Sequence, residues 1–211
     1  LTVKDATEAK PKKINLVNCW DEEVNIVLGE KNPNGGKYAL KSLEAAVADL
    51  KSNRIDVLVT APINKDCVRE AGFEFPGHTE YLAHISESKD VLMLMVAGDL
   101  RVGVVTGHVP LKDVPALITK DRIENKLRLL LATLRKDFMI SKPRIAVLGL
   151  NPHAGDRGTL GNEEIDIIIP VIQKFREEGE LIFGTYSADG FFGSSNLKNF
   201  DAILSMYHDQ G

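Results

Sequence analysis

Short apolar runs alternate with longer amphipathic stretches along most of this chain, and that alternation constrains its fold more than any other feature. The strand-like runs are Lys13–Val17, Ile55–Thr60, Val91–Ala97, Leu100–Val105, Ile145–Leu150, Leu181–Phe183 and Ala202–Met206. Helical spacing of apolar residues occurs at 38–52, at 123–138 after a candidate N-cap at Thr119, and at Glu163–Glu178. Strands separated by helices predict an α/β fold with a largely parallel sheet covered by helices.

Two local signals refine this prediction. Gly98-Asp99 separates two β-rich runs and predicts a hairpin, which would make the sheet mixed. Pro170 lies inside a helical pattern and predicts either a kink or a split, and the pattern does not decide between them. Gly72, Pro76 and Gly77 cluster where a domain could change, so we expect a first α/β domain at 1–75 and a second α/β region at 76–211.

Charge and cysteine content narrow the possible partners. The net charge of the 211-residue chain is −4 and its basic residues are scattered, which argues against nucleic acid and anionic membranes as partners. No apolar stretch approaches the length of a membrane span. Cys19 and Cys67 lack the C-x-x-C spacing and fit a reducing compartment, so we expect a cytoplasmic protein. Because the chain opens at Leu1 and stops at Gly211, we expect it to be a fragment of a longer protein.

Three of the five histidines follow strand-like runs directly, in turn-rich loops. They are His108, His153 and His208. Open α/β sheets bind ligands beyond the carboxyl ends of their strands, and three imidazoles there would suit a divalent metal with one open coordination position. A lone loop histidine is more often a surface or hydrogen-bonding residue, but the repeated context favours a shared metal site.

Two carboxylates accompany these loops. Asp209 follows His208 directly, and Asp189 lies in Ser187-Ala-Asp-Gly190. A carboxylate beside a metal can orient a ligating imidazole or accept a proton from a substrate. The alternative is that Asp189 is a helix N-cap and Asp209 a turn residue.

Two further segments have the residue types of an anion site. His78 and Thr79 precede a helix-like stretch that begins at Glu80, where exposed amides, a hydroxyl and an imidazole favour an anion; the alternative is a capping Thr79 and a surface His78. The glycines of Gly155–Gly161 could contact phosphate, and Lys65 could reach an anion. Neither the G-x-G-x-x-G spacing nor a Walker lysine pattern is present, so no motif establishes NAD or ATP binding.

Six segments together resemble one known family. They are Ala61–Lys65, Gly77–Tyr81, Thr106–Leu111, Gly149–Asp156, Gly161–Ile165 and Met206–Gly211. They are similar, in the expected order, to the signature segments of the 4-hydroxythreonine-4-phosphate dehydrogenase family of pyridoxal phosphate biosynthesis. Leu-Asn-Pro-His-Ala-Gly together with Met-Tyr-His-Asp-Gln-Gly is highly specific for this group.

The resemblance implies a fold, an activity and a set of site residues. The fold would be a two-domain arrangement like that of isocitrate and isopropylmalate dehydrogenases, incomplete in this chain. The activity would be NAD-dependent oxidation of 4-phosphooxy-L-threonine at C3, followed by loss of CO₂ to give 3-amino-2-oxopropyl phosphate. The metal ligands would be His108, His153 and His208, and the substrate contacts His78 and Thr79. Asp189 and Asp209 would lie close to the reacting centre, in a homodimer whose active site lies at the subunit interface.

Several alternatives stay open from the sequence. Three imidazoles favour zinc, although magnesium and cobalt are alternatives. A related dehydrogenase of 4-phospho-D-threonate or 4-phospho-D-erythronate would share the same loops, and a three-histidine metal-dependent hydrolase or a non-catalytic metal-stabilised domain would use the same ligands. In family members a segment beyond Asp-Gln-Gly supplies further phosphate contacts and much of the nucleotide pocket. This chain stops before that segment, so no NAD-binding residue can be named and the activity of this stretch alone is open.

Overall fold

The computed structural model describes residues 1–25, 27, 29–88 and 90–211. The chain forms two compact units, Leu1–Ser88 and Lys89–Gly211. We predicted a domain boundary between residues 75 and 76 from the sequence, whereas the two compact units divide after Ser88. His78 and Thr79 therefore belong to the first unit, and the three strand-end histidines belong to the second.

The first unit is mainly helical. Its elements are the strands β1 (Thr2–Val3) and β2 (Leu16–Val17), which pair in parallel, and the helices α1 (Pro33–Lys51), α2 (Lys65–Glu70) and α3 (His78–Ile85). Leu43, Val47, Val68 and Phe73 form its buried core, and Tyr81, Leu82 and Ile85 of α3 pack against them. This packing is the reason that α3 belongs to the first unit.

Helix α1 begins five residues before the apolar pattern predicted, at Pro33 instead of residue 38. The side chain of Asn32 caps it by accepting a hydrogen bond from the Asn34 amide at 2.9 Å. Gly36 then lies against α2, where a Cβ would come within 2.0 Å of the Cys67 carbonyl oxygen. A segment rich in Asn, Pro and Gly, which is typical of a loop, is here a capped helix start that packs closely on a second helix.

The strand predicted at Ile55–Thr60 is not formed. The segment belongs to no strand of the described structure, and Val57 and Val59 are 73% and 89% exposed. A β-strand requires a neighbour that offers free N–H and C=O groups. Among the described residues of this unit, β1 and β2 pair with each other, and no further strand lies beside Ile55–Thr60.

The second unit is built on a five-stranded mixed sheet. Its strands are β3 (Leu94–Ala97), β4 (Leu100–Thr106), β5 (Arg144–Leu148), β6 (Leu181–Tyr186) and β7 (Ala202–Tyr207), in the order β3-β4-β7-β5-β6. β3 and β4 form the predicted antiparallel hairpin, with Gly98 in the left-handed region at φ +59°. All other neighbours are parallel. The predicted α/β class with a largely parallel, mixed sheet is confirmed.

Helices cover both faces of this sheet. They are α4 (Val114–Leu117), α5 (Lys120–Lys136), α6 (Ile169–Glu177) and α7 (Ala188–Phe192). The hydroxyl of Thr119 accepts a hydrogen bond from the Arg122 amide, which confirms the predicted N-cap of α5. A π-helical turn, Glu164–Ile168, directly precedes α6. The helical backbone continues without a break from this turn into α6, so the helix is not split at Pro170, and a π-helical turn lies just before the proline that cannot donate the usual backbone hydrogen bond.

Side chains alternate across the sheet with a period of two, as strand geometry requires. Ile145, Val147 and Leu204 face a core formed with α5 and α6, whereas Ala146 and Leu148 face a second core that includes Phe191 of α7. The carboxyl ends of β4, β5, β6 and β7 lie at one edge of the sheet because these strands run in parallel. The loops that carry the candidate residues of the second unit leave from that edge.

Within the described stretches, no helix combines the length and apolarity needed to span a bilayer.

Candidate functional site

His108 and His208 lie next to each other at the carboxyl edge of the sheet. Their ring centroids are 5.3 Å apart and their planes are inclined by 36°. The pair arises because β4 and β7 are neighbours, with Thr106 opposite Tyr207. Both rings line a cleft of about 350 Å³ that opens to solvent. Two imidazoles at this spacing can serve as ligands of a single cation.

A carboxylate orients one of these rings. Nδ1 of His208 lies 2.9 Å from Oδ1 of Asp209, whose side chain is otherwise exposed. A proton on Nδ1 satisfies this contact and leaves the lone pair of Nε2 available. Such a carboxylate–imidazole contact is the usual second contact of a metal-ligating histidine.

The loop of His153 has a left-handed backbone. Every residue from His153 to Gly158 has a positive φ, including the non-glycine residues His153, Ala154, Asp156 and Arg157. Each non-glycine residue in this region costs about 1 kcal/mol or more, so neighbouring structure must hold the turn in place. Buried contacts at its base supply that support.

Two side chains hold the base of this loop. Glu164, only 1% exposed, accepts hydrogen bonds from the backbone amides of Leu150 and Asn151 at 2.7 and 2.8 Å. The amide of Gln210 accepts from the Met206 N–H at 2.7 Å and donates to the Gly149 carbonyl at 2.6 Å. Gln210 therefore joins the loop after β7 to the loop after β5. Sequence reasoning assigned no role to either side chain at this site.

The glycine-rich segment is explained by packing within the loop. A Cβ on Gly155, whose φ is +81°, would come within 2.6 Å of Oε2 of Glu164. At Gly161 it would come within 2.4 Å of the Asn151 side chain. These positions require glycine because of internal contacts, and a phosphate is not needed to account for them.

Asp189 lies in the first turn of α7 and is not its N-cap, a position that Ser187 occupies. The Ser187 hydroxyl donates to Asp189 and is the main reason that the pKa of Asp189 lies below its ordinary value of 3.8. The backbone N–H of Gly190 lowers that pKa further. Residues of α7 lie close to the loop of His153, so the loops after β5 and β6 approach each other.

The predicted residues of the second unit are thus brought to one sheet edge as two groups. His108, His208 and Asp209 form one group, and the neighbouring loops of His153 and Asp189 form the other. No set of three His, Cys, Asp or Glu side chains is arranged around a common point in the described part of the chain. The three-histidine metal site remains a prediction.

His78 and Thr79 form the first turn of α3, which begins two residues before the predicted start at Glu80. Gly77 precedes the helix, and none of the described side chains caps its first amides. Thr79 is therefore not the cap. His78 lines a cleft of about 210 Å³ together with Thr60, Ala61 and Pro62. Free amides at a helix N-terminus beside an imidazole are compatible with the predicted anion contact.

The low pKa of Asp189 gives a prediction for the Ser187→Ala variant. Removal of the hydroxyl donor should raise the pKa of Asp189 towards 3.8, because the ionised form loses its strongest hydrogen bond. The stabilisation from this group is present above pH 3.8 and is lost as the pH falls through the lower folded value. A ¹³C NMR titration of the Asp189 carboxyl measures the shift, with Ser194→Ala as the matched control. An unchanged midpoint in Ser187→Ala would contradict the assignment.

Comparisons with known proteins show the family to which this chain belongs. Residues 1–211 match the profile of the family described as pyridoxal phosphate biosynthetic protein PdxA. The chain is 47% identical over 210 residues to a 4-hydroxythreonine-4-phosphate dehydrogenase of Bacteroides thetaiotaomicron, covering 99% of this chain and 58% of that protein.

Two solved dehydrogenase structures have a fold similar to that of this chain. A crystal structure of 4-hydroxythreonine-4-phosphate dehydrogenase from Klebsiella pneumoniae superposes with a TM-score of 0.85 at 32% identity, covering 100% of this chain and 64% of the other. A terephthalate 1,2-cis-dihydrodiol dehydrogenase from Burkholderia xenovorans superposes with a TM-score of 0.68 at 28% identity, over 96% of this chain and 64% of the other.

The chain thus spans 58% of the length of the Bacteroides relative and 64% of the Klebsiella chain. The match to the family profile nevertheless extends over all 211 residues, through every segment from which the resemblance was inferred. The chain belongs to the pyridoxal phosphate biosynthetic protein PdxA family.

Proposed function

We propose that the protein containing this chain oxidises 4-phosphooxy-L-threonine with NAD and a divalent metal, and then decarboxylates the product to 3-amino-2-oxopropyl phosphate. The observation that carries the proposal is the His108–His208 pair, with rings 5.3 Å apart at the carboxyl edge of the sheet. Family membership supports the substrate, because relatives matched over nearly the whole chain are named for its dehydrogenation.

The donor set fits a divalent cation. His108 and His208 would hold it from neighbouring strands, and His153 would complete the set, either from the same chain or across a homodimer interface. The nitrogen ligands favour zinc, with magnesium and cobalt as alternatives. A bound cation would act as a Lewis acid that stabilises negative charge on the substrate oxygen during oxidation and decarboxylation.

The two carboxylates receive different roles in this proposal. Asp209 holds the ring of His208 through Nδ1. Asp189 has a lowered pKa and is therefore a weak base, so it would stay ionised beside the bound cation and would not take up the substrate proton. Proton acceptance from the substrate hydroxyl falls to Asp209 or to a bound water.

We assign the phosphate contact to the first turn of α3. His78 and Thr79 present an imidazole, a hydroxyl and free helix N-terminal amides, all of which favour a phosphate group. The free cysteines Cys19 and Cys67 fit a cytoplasmic location.

His78→Ala in the full-length protein is expected to raise KM for the phosphorylated substrate about tenfold, the effect of losing one hydrogen bond to a charged group. KM for NAD should change less than about twofold because NAD does not depend on this contact. Steady-state kinetics with each substrate varied in turn measures both values. His84→Ala is the matched control, since His84 belongs to the same helix but packs against Phe75. Equal losses for both substrates would contradict the assignment.

The direct test is the absorbance of reduced nicotinamide with full-length protein, NAD, a divalent metal and 4-phosphooxy-L-threonine. Metal-dependent NADH formation with CO₂ release is the expected result. Activity only with 4-phospho-D-threonate or 4-phospho-D-erythronate would identify the related dehydrogenase. The dihydrodiol dehydrogenase with a similar fold is a reason to include a cis-dihydrodiol in the same assay. Substrate hydrolysis without NAD would indicate the metal-dependent hydrolase, and metal binding without turnover a non-catalytic domain.

A further inference from the structure

The short segment Gly149–Asn151, which joins β5 to the loop of His153, is held from three directions. The Gly149 amide donates to the Tyr186 carbonyl of β6 at 2.8 Å, and the Gly149 carbonyl accepts from Gln210. The next two amides, of Leu150 and Asn151, both donate to a single oxygen, Oε1 of Glu164. Three consecutive residues are thus fixed by the Tyr186 carbonyl, the Gln210 side chain and the Glu164 carboxylate.

Glu164 is fully engaged within the protein. Its second oxygen, Oε2, accepts from Nδ2 of Asn151 at 3.0 Å and lies against Gly155. The side chain is 1% exposed, and the loop that it holds covers it. A buried carboxylate is retained only where donors replace its water, and here three donors from one loop do so. Because both oxygens are occupied by that loop, Glu164 has no access to a substrate or a cation.

We propose that Glu164 is a positioning residue, whose carboxylate holds the Leu150–Asn151 backbone so that the left-handed turn presents His153 at the sheet edge. The turn is unfavourable for four non-glycine residues, so it persists only where its base is fixed. His153 lies only two residues after Asn151, the last residue whose backbone Glu164 holds. The effect of Glu164 on cation binding rests on the proposed function. The effect of Glu164 on the position of His153 does not depend on that function.

The test uses Glu164→Gln in the full-length protein. Glutamine has the same shape and keeps one acceptor oxygen, but its NH₂ group would face the NH₂ group of Asn151, so one of the contacts must break. Glu163→Gln is the matched control. Glu163 is the preceding residue and accepts only one hydrogen bond at this loop, from Asn151 at 2.7 Å.

Two readouts in the metal-free protein report positioning without any assay of activity. Amide hydrogen exchange at Leu150 and Asn151 should accelerate at least about tenfold in Glu164→Gln, whereas Val147 within β5 should be unaffected. The His153 ring resonances should shift, and those of His78 and His84 should stay in place. Unchanged His153 resonances in a folded Glu164→Gln variant would overturn the proposal.

The third readout is zinc affinity, measured by titration. The dissociation constant should rise about tenfold in Glu164→Gln, as for other residues that orient metal ligands, and less than about twofold in Glu163→Gln. Faster exchange with unchanged zinc affinity would overturn the functional part of the inference. If the wild-type protein binds neither zinc nor cobalt nor magnesium, the proposed function fails, and the His153 resonances still decide whether Glu164 positions that ring.

A milder variant covers the case in which Glu164→Gln does not fold. Asn151→Ala keeps the buried carboxylate with both backbone contacts and removes only the Asn151 amide group, which donates to Oε2 of Glu164 and to Glu163. It should move the His153 resonances in the same direction by a smaller amount. A folded Asn151→Ala protein with wild-type resonances and wild-type exchange would contradict the proposal.

Discussion

Replacement of His208 by alanine in the full-length protein is expected to reduce turnover by about 10²- to 10³-fold and zinc affinity by at least about 100-fold. The reason is that His208 is half of the only imidazole pair in the described structure, and Asp209 contacts its Nδ1, which leaves Nε2 available for a cation. The fold should survive because the His208 side chain is 40% exposed and contributes little to the core. Metal content, steady-state kinetics and circular dichroism measure the three effects.

Two further variants sharpen this result. Asp209→Asn keeps the imidazole and weakens its orientation, so its loss of zinc affinity should lie between those of wild type and His208→Ala. His84→Ala removes a histidine that packs on Phe75 in the first unit, and its metal content should equal that of wild type. Normal metal content together with normal catalysis in His208→Ala would refute the proposed site.

The second large effect concerns stability. Phe175→Ala should lower the free energy of unfolding of the second unit by about 3–5 kcal/mol, the usual cost of deleting a buried aromatic ring. Phe175 of α6 is 0% exposed in the core between sheet and helices, and the Arg128 guanidinium lies 4.8 Å from its ring centroid. Since domains are stable by only about 5–15 kcal/mol, the variant should unfold at a much lower urea concentration.

Equilibrium urea unfolding followed by circular dichroism measures this change. The control is Ile165→Ala, which truncates an apolar side chain in the same helical region that is 46% exposed. We expect less than about 1 kcal/mol for the control. A similarly small loss in Phe175→Ala would show that the described core is wrong at α6.

The second unit was largely predictable because its signals are local. Thr119 caps α5, an apolar stripe gives that helix its buried face, and Gly98-Asp99 gives the hairpin. The prediction of a strand at Ile55–Thr60 was wrong because apolar, β-branched residues only favour the β conformation. A strand also needs a hydrogen-bonded neighbour, and none lies beside this segment among the described residues. The start of α1 was missed because Asn32–Gly36 has loop composition, and only the contact with Cys67 shows that a helix needs glycine there.

The candidate site was predictable in place but not in detail. Histidines after parallel strands must lie at one edge of the sheet, and the sequence shows where the strands end. That His108 meets His208 depends on strand order, since β7 lies between β4 and β5. Glu164 was missed because its neighbours Ile165 and Ile168 suggest an amphipathic helix, in which a carboxylate at the first turn belongs on the solvent side. Glu164 is buried because it binds the backbone amides of Leu150 and Asn151, which lie 14 and 13 residues earlier in the chain. No local sequence pattern predicts that contact.

Gln210 links two of the histidine loops through one amide group, with Met206 on one side and Gly149 on the other. The loops after β5 and β7 are therefore connected to each other before any ligand binds. Binding of a ligand here costs the protein little conformational entropy, because the loop backbone at these contacts is already ordered. Affinity at this edge should consequently depend more on the chemistry of the ligand than on any rearrangement of the protein.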